Sequence, residues 1–292
     1  MKICVDAGHT KGVNTSPVLP EYHEGTQMFY LSQYLKAELE KRGFEVILTR
    51  KKITDDPPIA ERGRIAGKNN CDLMISLHSN SPAKSPDGTY DPSKKGVVPI
   101  YSLALTDMKA RAWNKDFAYK LGVKIGEVMG NGVFENRAVY RLYPNTTLEQ
   151  GIDYYGVLRN SVKYGCKHAV IMEHGFHTNP DDARWLMSDD NLKALAKVEA
   201  KFIYEYLTGR DETFITMEFK QLRKGDICAD VKLVQTVLNE RGYFDANKKR
   251  LDVDGDFGEK TDYAVRAFQK DKGLAVDGIV GKNTYNKLLK FE

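Results

Sequence analysis

Residues 72–80 read Asp-Leu-Met-Ile-Ser-Leu-His-Ser-Asn, a short apolar run that gives way to polar residues. Such a run, bounded by polar residues, is typical of a buried β-strand. Similar runs recur along the chain, and segments of helical periodicity separate them. The predicted strands cover residues 2–5, 44–49, 72–77, 96–101 and 168–173, and the predicted helices cover residues 24–42, 59–69, 106–128, 154–164 and 191–207.

Strands that alternate with helices predict an α/β domain, in which helices flank a mostly parallel, twisted sheet. In such sheets, ligands bind beyond the carboxyl ends of the strands. Polar segments follow directly after four of the predicted strands, at residues 6–9, 49–50, 78–80 and 173–175. We therefore expect the active site along this edge of the sheet.

The chain of 292 residues is long enough for two domains. We predict the α/β domain over residues 1–208, a polar linker over 209–220, and a small all-α domain of three helices over 221–292. An echo within the second domain supports this division, since VDGDFG at 253–258 is followed by VDGIVG at 276–281. An EF-hand calcium loop starting at Asp252 is excluded, because its sixth and twelfth places hold Phe257 and Tyr263.

Composition excludes several classes of protein. The net charge is only +4 and the basic residues are scattered, which gives no support to a nucleic-acid-binding role. No run of about 18 apolar residues is present, so we expect no membrane insertion. The four cysteines form no CxxC pair and no disulfide framework, and the first residues do not resemble a signal peptide. We therefore expect synthesis in the reducing cytoplasm.

His9, His78 and Glu24 are candidates for a metal site. Both histidines end a predicted strand and its turn, and Glu24 opens the helix that begins near the same edge. Two histidines and one carboxylate are a recurrent ligand set of catalytic zinc. A histidine in this position is also commonly a surface or capping residue, and Glu21 is a rival to Glu24. The spacing alone leaves these alternatives open.

Glu173 ends an apolar strand, where a carboxylate is costly unless it is paired or functional. Beside a metal-activated water it would act as general base and then as general acid. The alternative is a salt bridge to a residue such as Arg62 or Arg159. Among the other polar residues, we expect His177 and Asn80 to line a substrate site, expect His168 to be structural, and assign no role to His174.

Six segments of the first domain resemble the Amidase_3 family of N-acetylmuramoyl-L-alanine amidases in order and spacing. They are ICVDAGHT (3–10), KRGFEVILTR (41–50), IAERGRIAG (59–67), DLMISLHSN (72–80), YGVLRNS (155–161) and VIMEHGFHTNPDDARWL (170–186). The resemblance implies that His9, Glu24 and His78 bind Zn²⁺ and that Glu173 is catalytic. The chain departs from the family at Ala7, where proline is usual, and at His174 and His177, where apolar or small residues are common.

Residues 221–292 resemble the PG_binding_1 family of three-helix peptidoglycan-binding domains. The matching segments are LRKGDICADVKLVQTVLNERGYF (222–244) and VDGDFGEKTDYAVRAFQKDKGLAVDGIVGKNTYNKLL (253–289). The resemblance implies peptidoglycan as the partner of this domain.

Together, the two resemblances imply zinc-dependent hydrolysis of the amide between N-acetylmuramic acid and L-alanine, and thus lysis of the bacterial cell wall. A peptidoglycan endopeptidase that cuts within the stem peptide and a non-catalytic wall-binding protein are the alternatives. We expect a monomer that resembles an autolysin, a sporulation lysin or a phage endolysin, the last released through a holin.

Overall fold

The computed structural model describes residues 1–210 and 221–288. The chain divides into two compact units, Met1–Glu212 and Thr213–Glu292. Of the predicted linker, residues 211–220 lie outside the described residues, so its limits at 209 and 220 stay a prediction. In the two described ranges, no helix is both long and apolar enough to cross a membrane.

The first unit contains a five-stranded sheet flanked by helices. Its elements in chain order are β1 (Lys2–Ala7), α1 (Glu24–Lys41), β2 (Glu45–Leu48), α2 (Ile59–Lys68), β3 (Leu73–Asn80), β4 (Val98–Tyr101), α3 (Met108–Met129), a 3₁₀ turn (Phe134–Asn136), α4 (Gly156–Lys163), β5 (His168–Phe176), α5 (Pro180–Met187) and α6 (Asp189–Thr208). The strand order is β2-β1-β3-β5-β4. Only β4 is antiparallel to its neighbour, which confirms the predicted α/β class and the mostly parallel sheet.

Both faces of the sheet are buried, as the alternation of side chains along a strand requires. On β1, Ile3 and Val5 join a core formed with α1, α3 and α6. Between them, Cys4 points to the opposite face, where it joins a second core with α2 and α4. Cys4, Cys71 and Cys166 are buried thiols, and Cys228 is partly buried.

The register brings the carboxyl ends of the central strands together. Ala7 pairs with Leu77 across β1 and β3, and His78 pairs with Glu173 across β3 and β5. The residues that follow these strands therefore meet at one edge, as the sequence predicts.

Several strands run further than predicted, and one helix was not predicted. Strand β5 runs beyond Glu173 to Phe176, since Asn80 continues the pairing after a register shift. Helix α5 is absent from the prediction, because eight residues are too few for a clear period. Its start carries the usual signals, for Asn179 accepts hydrogen bonds from the N–H groups of Asp181 and Asp182, and Pro180 follows it.

The second unit contains α7 (Ala229–Glu240), α8 (Glu259–Asp271) and α9 (Lys282–Leu288), which confirms the three-helix prediction. Its apolar core includes Leu238, Phe257, Phe268 and Tyr285.

The echo in the sequence corresponds to two matching hydrogen-bond cages. Gln235 donates from Nε2 to Asp254 Oδ1 (2.8 Å) and the Asp256 carbonyl (2.9 Å), and its Oε1 accepts from the N–H of Gly255 (2.9 Å). In the second cage, Gln269 makes the same bonds, and at the same lengths, to Asp277, Ile279 and Gly278. Each Asp-Gly turn is therefore fastened to the preceding helix by a buried glutamine.

We predict that Gln269→Leu loosens the second turn, because it leaves the N–H of Gly278 without its partner and removes one of the two donors to the carbonyl of Ile279, which keeps the bond from the Thr284 hydroxyl. Each buried group left unsatisfied costs about 1–3 kcal/mol. Amide hydrogen exchange of residues 276–281 in the full chain measures the effect, and faster exchange is expected. Thr236→Val is the control, because its exposed hydroxyl bonds only to the carbonyl of Lys232 in its own helix. Unchanged exchange in Gln269→Leu would refute the role of the cage.

Helices α2 and α4 approach each other closely at Gly63. A Cβ atom at this position would overlap the carbonyl of Val157 and lie 2.8 Å from the backbone nitrogen of Ser161. We predict that Gly63→Ala destabilises the first unit by about 1–3 kcal/mol, the usual cost of overpacking. Denaturant unfolding measures it. In the control Gly156→Ala, the new methyl meets chiefly the exposed side chain of Ile59, which can move. Equal stability of the two variants would contradict the close approach.

Candidate metal centre and active site

Three potential metal ligands converge at the carboxyl edge of the sheet. His9 lies in the turn after β1, in the left-handed region with φ 58°, and His78 lies near the end of β3. Glu24 is the first residue of α1 and is 1% exposed. One donor atom from each of the three lies within 4.8 Å of the other two. The rival carboxylate, Glu21, is exposed to solvent.

The Glu24 carboxylate is surrounded by donors. Its Oε1 accepts from His78 Nδ1 (2.9 Å) and from the N–H of Ser79 (3.1 Å), and its Oε2 accepts from Asn14 Nδ2 (2.8 Å). Burial by itself would raise the pKa of Glu24, but the hydrogen bonds and charges of His78 and His9 outweigh it and hold that pKa far below its ordinary value. The group is therefore an ionised carboxylate.

The donor set fits a zinc ion, which favours imidazole nitrogen and carboxylate oxygen in sets of three. Donors around a tetrahedral zinc ion lie roughly 3.3 Å apart, because each metal–ligand bond is about 2.0–2.1 Å long. Glu24 Oε1 lies 2.9 Å from His78 Nδ1 and 3.4 Å from His9 Nε2. These separations match the requirement closely enough that small side-chain shifts would suffice.

Two buried arginines hold the turn that carries His9. Arg62 donates to the carbonyls of Ala7 (2.5 Å) and His9 (2.8 Å) and forms an ion pair with Asp6 at 3.2 Å. Arg50 donates to the carbonyl of Gly8 at 3.2 Å. These contacts were not predicted from the sequence, although an aspartate within a buried strand is a signal that a cationic partner is needed.

Glu173 lies opposite His78 in the sheet. Its Oε2 is buried, and no described residue gives it a hydrogen-bond partner. Burial, aided by the charge of Glu24, raises the pKa of Glu173 to about 7 against the opposing charges of His78 and His174. Arg62 and Arg159, the partners considered for a salt bridge, bond instead to Asp6 and to the carbonyls of Asp153 and Tyr154. Glu173 can therefore hold or release a proton near neutrality.

The two predicted lining residues lie next to this cluster. His177 is 6% exposed, its Nδ1 is 3.0 Å from Ser79 Oγ, and it lies 3.9 Å from Glu24 Oε2. The carbonyl of Asn80 accepts from the N–H of His177, and its Oδ1 accepts from the N–H of Ser81. Their contact with a substrate stays a prediction, since both bond to the protein itself.

Two residues in or next to this cluster were not predicted from the sequence. Asn14 contacts both His9 and Glu24, and the buried Tyr22 donates to Ser79 Oγ at 2.7 Å. Their segment, between β1 and α1, lacks any periodic pattern, so no local signal indicates these contacts.

Two further histidines, His23 and His168, lie in other surroundings. His23 precedes α1 and contacts Thr15. His168 lies at the opposite end of β5, where its Nδ1 is 3.0 Å from Asn114 Oδ1 and its ring stacks on Trp113.

Residues 3–205 match the Amidase_3 family model, described as N-acetylmuramoyl-L-alanine amidase. The chain belongs to this family. Residues 229–288 match a second model, PG_binding_1, described as a putative peptidoglycan binding domain. Both resemblances predicted from the sequence are thereby confirmed.

Solved structures of other proteins share the fold of the first unit. The catalytic domain of CwlV, an N-acetylmuramoyl-L-alanine amidase from Bacillus (Paenibacillus) polymyxa var. colistinus, matches with a TM-score of 0.55 and 20% identity, covering 72% of this chain and 99% of that domain. Cwp6 from Clostridium difficile matches with a TM-score of 0.56 and 21% identity, covering 71% of this chain and 29% of that one.

The chain is also similar in sequence to part of a protein from another organism. N-acetylmuramoyl-L-alanine amidase CwlM of Mycobacterium tuberculosis is 40% identical over 72 residues, which are 23% of this chain and 18% of that protein. The chain thus matches only a small part of that relative's length.

Gly8 allows the His78 ring to approach the β1 turn. A Cβ atom at residue 8 would lie 2.6 Å from His78 Nδ1. We predict that Gly8→Ala displaces the ring and breaks its bond to Glu24, which changes the imidazole nitrogen shifts of His78 in NMR spectra of the metal-free protein. Gly12→Ala is the control, because a Cβ atom there has no described neighbour within 4 Å and φ is +78°, so only backbone strain is added. The same His78 shifts in both variants would rule out the steric role of Gly8.

Proposed function

We propose that the chain is a zinc-dependent amidase that hydrolyses the bond between N-acetylmuramic acid and L-alanine in bacterial peptidoglycan. The observation that carries the proposal is the cluster of His9, Glu24 and His78, with Glu173 opposite His78 in the sheet. Membership in the amidase family supports the choice of reaction.

Zinc would be held by His9 Nε2, a Glu24 oxygen and His78 Nδ1, the atoms that converge in the metal-free site. When bound, it would acidify a water molecule and polarise the scissile carbonyl. Ionised Glu24 supplies the negative charge of the ligand set, and its bond from the N–H of Ser79 fixes its orientation.

Glu173 would perform the proton transfers. As the water attacks the carbonyl carbon, the Glu173 carboxylate would accept a proton from that water. Glu173 would then pass this proton to the leaving nitrogen of L-alanine. A pKa of about 7 suits both steps, because neither the acid nor the carboxylate form is strongly favoured at neutral pH. The free Oε2 leaves one oxygen available for this exchange.

The second unit would bind the same wall. Its match to a peptidoglycan-binding family supports this partner. A binding module on the same chain raises the effective concentration of the catalytic unit at its substrate without any new contact at the active site. The place of action would therefore be the bacterial cell wall.

We predict that Glu173→Gln lowers hydrolysis of purified cell walls by about 10²–10⁴-fold, the usual contribution of a general acid–base. Removal of metal with a chelator should abolish hydrolysis, and added zinc should restore it. Mass spectrometry of the digest identifies the bond that is cut, and free stem peptides that begin with L-alanine are expected. Glu21→Gln is the matched control, since this nearby glutamate is exposed and lies outside the cluster. New amino groups on D-alanine or a diamino acid would instead identify an endopeptidase.

A further inference from the structure

His174 and Glu199 form a fully buried pair next to the proposed zinc site. Both side chains are 0% exposed, and His174 Nε2 lies 3.0 Å from Glu199 Oε1. The other ring nitrogen, Nδ1, faces the carbonyl oxygen of His78 at 3.1 Å. The imidazole thus connects helix α6 to the backbone of a proposed metal ligand.

The Glu199 side of this pair is apolar, so its presence needs an explanation. On α6, Leu195, Ala196 and Ile203 belong to the same core face as Glu199. Glu199 Oε2 is buried and finds no hydrogen-bond partner among the residues described. Replacing a buried ionic pair by apolar residues of similar volume is often neutral or stabilising. Stability of the core therefore does not account for the pair.

The position of the pair in the sheet suggests its use. The pairing of β3 with β5 is irregular between His78 and Asn80. His174 donates to the His78 carbonyl at this irregularity, while Glu199 orients the ring from the other side. A hydrogen bond to one ring nitrogen sets the direction in which the other can act.

His9, the other proposed histidine ligand, has a matching arrangement. Its carbonyl accepts from Arg62 Nη2 at 2.8 Å, and Arg62 is itself paired with the buried Asp6. Each of the two histidines therefore has its backbone carbonyl held by a cationic or imidazole donor that a buried carboxylate orients.

We propose that His174 and Glu199 are positioning residues that fix the backbone of His78 and thereby set the affinity of the site for zinc. The inference rests on the proposed zinc site. Groups that orient metal ligands in this way commonly change metal affinity or activity 10–100-fold when they are replaced.

The test separates positioning from stability with the double variant His174→Leu/Glu199→Leu. This variant removes both members of the pair, so neither is left as an unpaired buried charge, and we expect its melting temperature to stay near or above that of the wild type. Its dissociation constant for zinc, measured by chelator competition, should rise about 10–100-fold. Glu199→Gln keeps a polar partner for His174 Nε2, and its zinc affinity should stay close to the wild-type value.

The matched control is the double variant Asn114→Leu/His168→Leu. It removes a polar pair that joins α3 to the same strand, β5, at the end of the strand remote from the ligands. We expect its zinc affinity to equal that of the wild type, whatever its melting temperature.

The outcomes distinguish this inference from the proposed function. If the wild type itself binds no zinc, the proposed function fails. If the wild type binds zinc and the His174→Leu/Glu199→Leu variant binds it equally tightly, only the inference is overturned. Should that variant not fold, Glu199→Leu is compared with Glu199→Gln. Weaker zinc binding by the leucine variant then supports positioning, and equal binding refutes it.

Discussion

The carboxylate of Glu24 is almost wholly removed from solvent, and the carboxyl edge of the sheet is arranged around it. A buried carboxylate is tolerated only where donors and positive charge compensate for the lost water. Here His78 Nδ1, the N–H of Ser79 and the Asn14 amide serve its two oxygens. The imidazoles of His78 and His9, which make the burial of Glu24 possible, are also the groups with which it would share a metal ion. Stability at this edge and metal binding are therefore linked.

Two buried ion pairs support the backbone of the proposed ligands. The pair of Arg62 with Asp6 holds the His9 turn, and the pair of His174 with Glu199 holds the His78 carbonyl. Neither pair belongs to the ligand set, yet each ends on the backbone of a proposed ligand. Rigid support of this kind reduces the reorganisation needed when a metal or substrate binds. It also places two buried ion pairs of the domain beside the proposed ligands.

The order and type of most elements could be predicted from the sequence, because apolar runs and helical periods are local. Helix α5 was not predicted, because its Asn179–Pro180 start is the only clear signal for it in the sequence. The site was harder to predict. Spacing left Glu24 and Glu21 as alternatives, and only family resemblance favoured Glu24, which the structure places beside both histidines. The contact of Arg62 with His9 joins residues 53 positions apart, and no local pattern reveals it.

Gly8 shows that a residue without a side chain can be as necessary to a site as its ligands. The space that a methyl group would fill there is occupied by the His78 ring. We therefore expect substitutions at the two positions to be coupled. In a lineage that abandons the metal and loses His78, the restriction on residue 8 disappears as well, and larger side chains can accumulate there. Conversely, a chain that keeps the His78 ring in this place has little room for a larger residue at this turn, so a duplicated copy that drifts toward wall binding alone should change at both positions together.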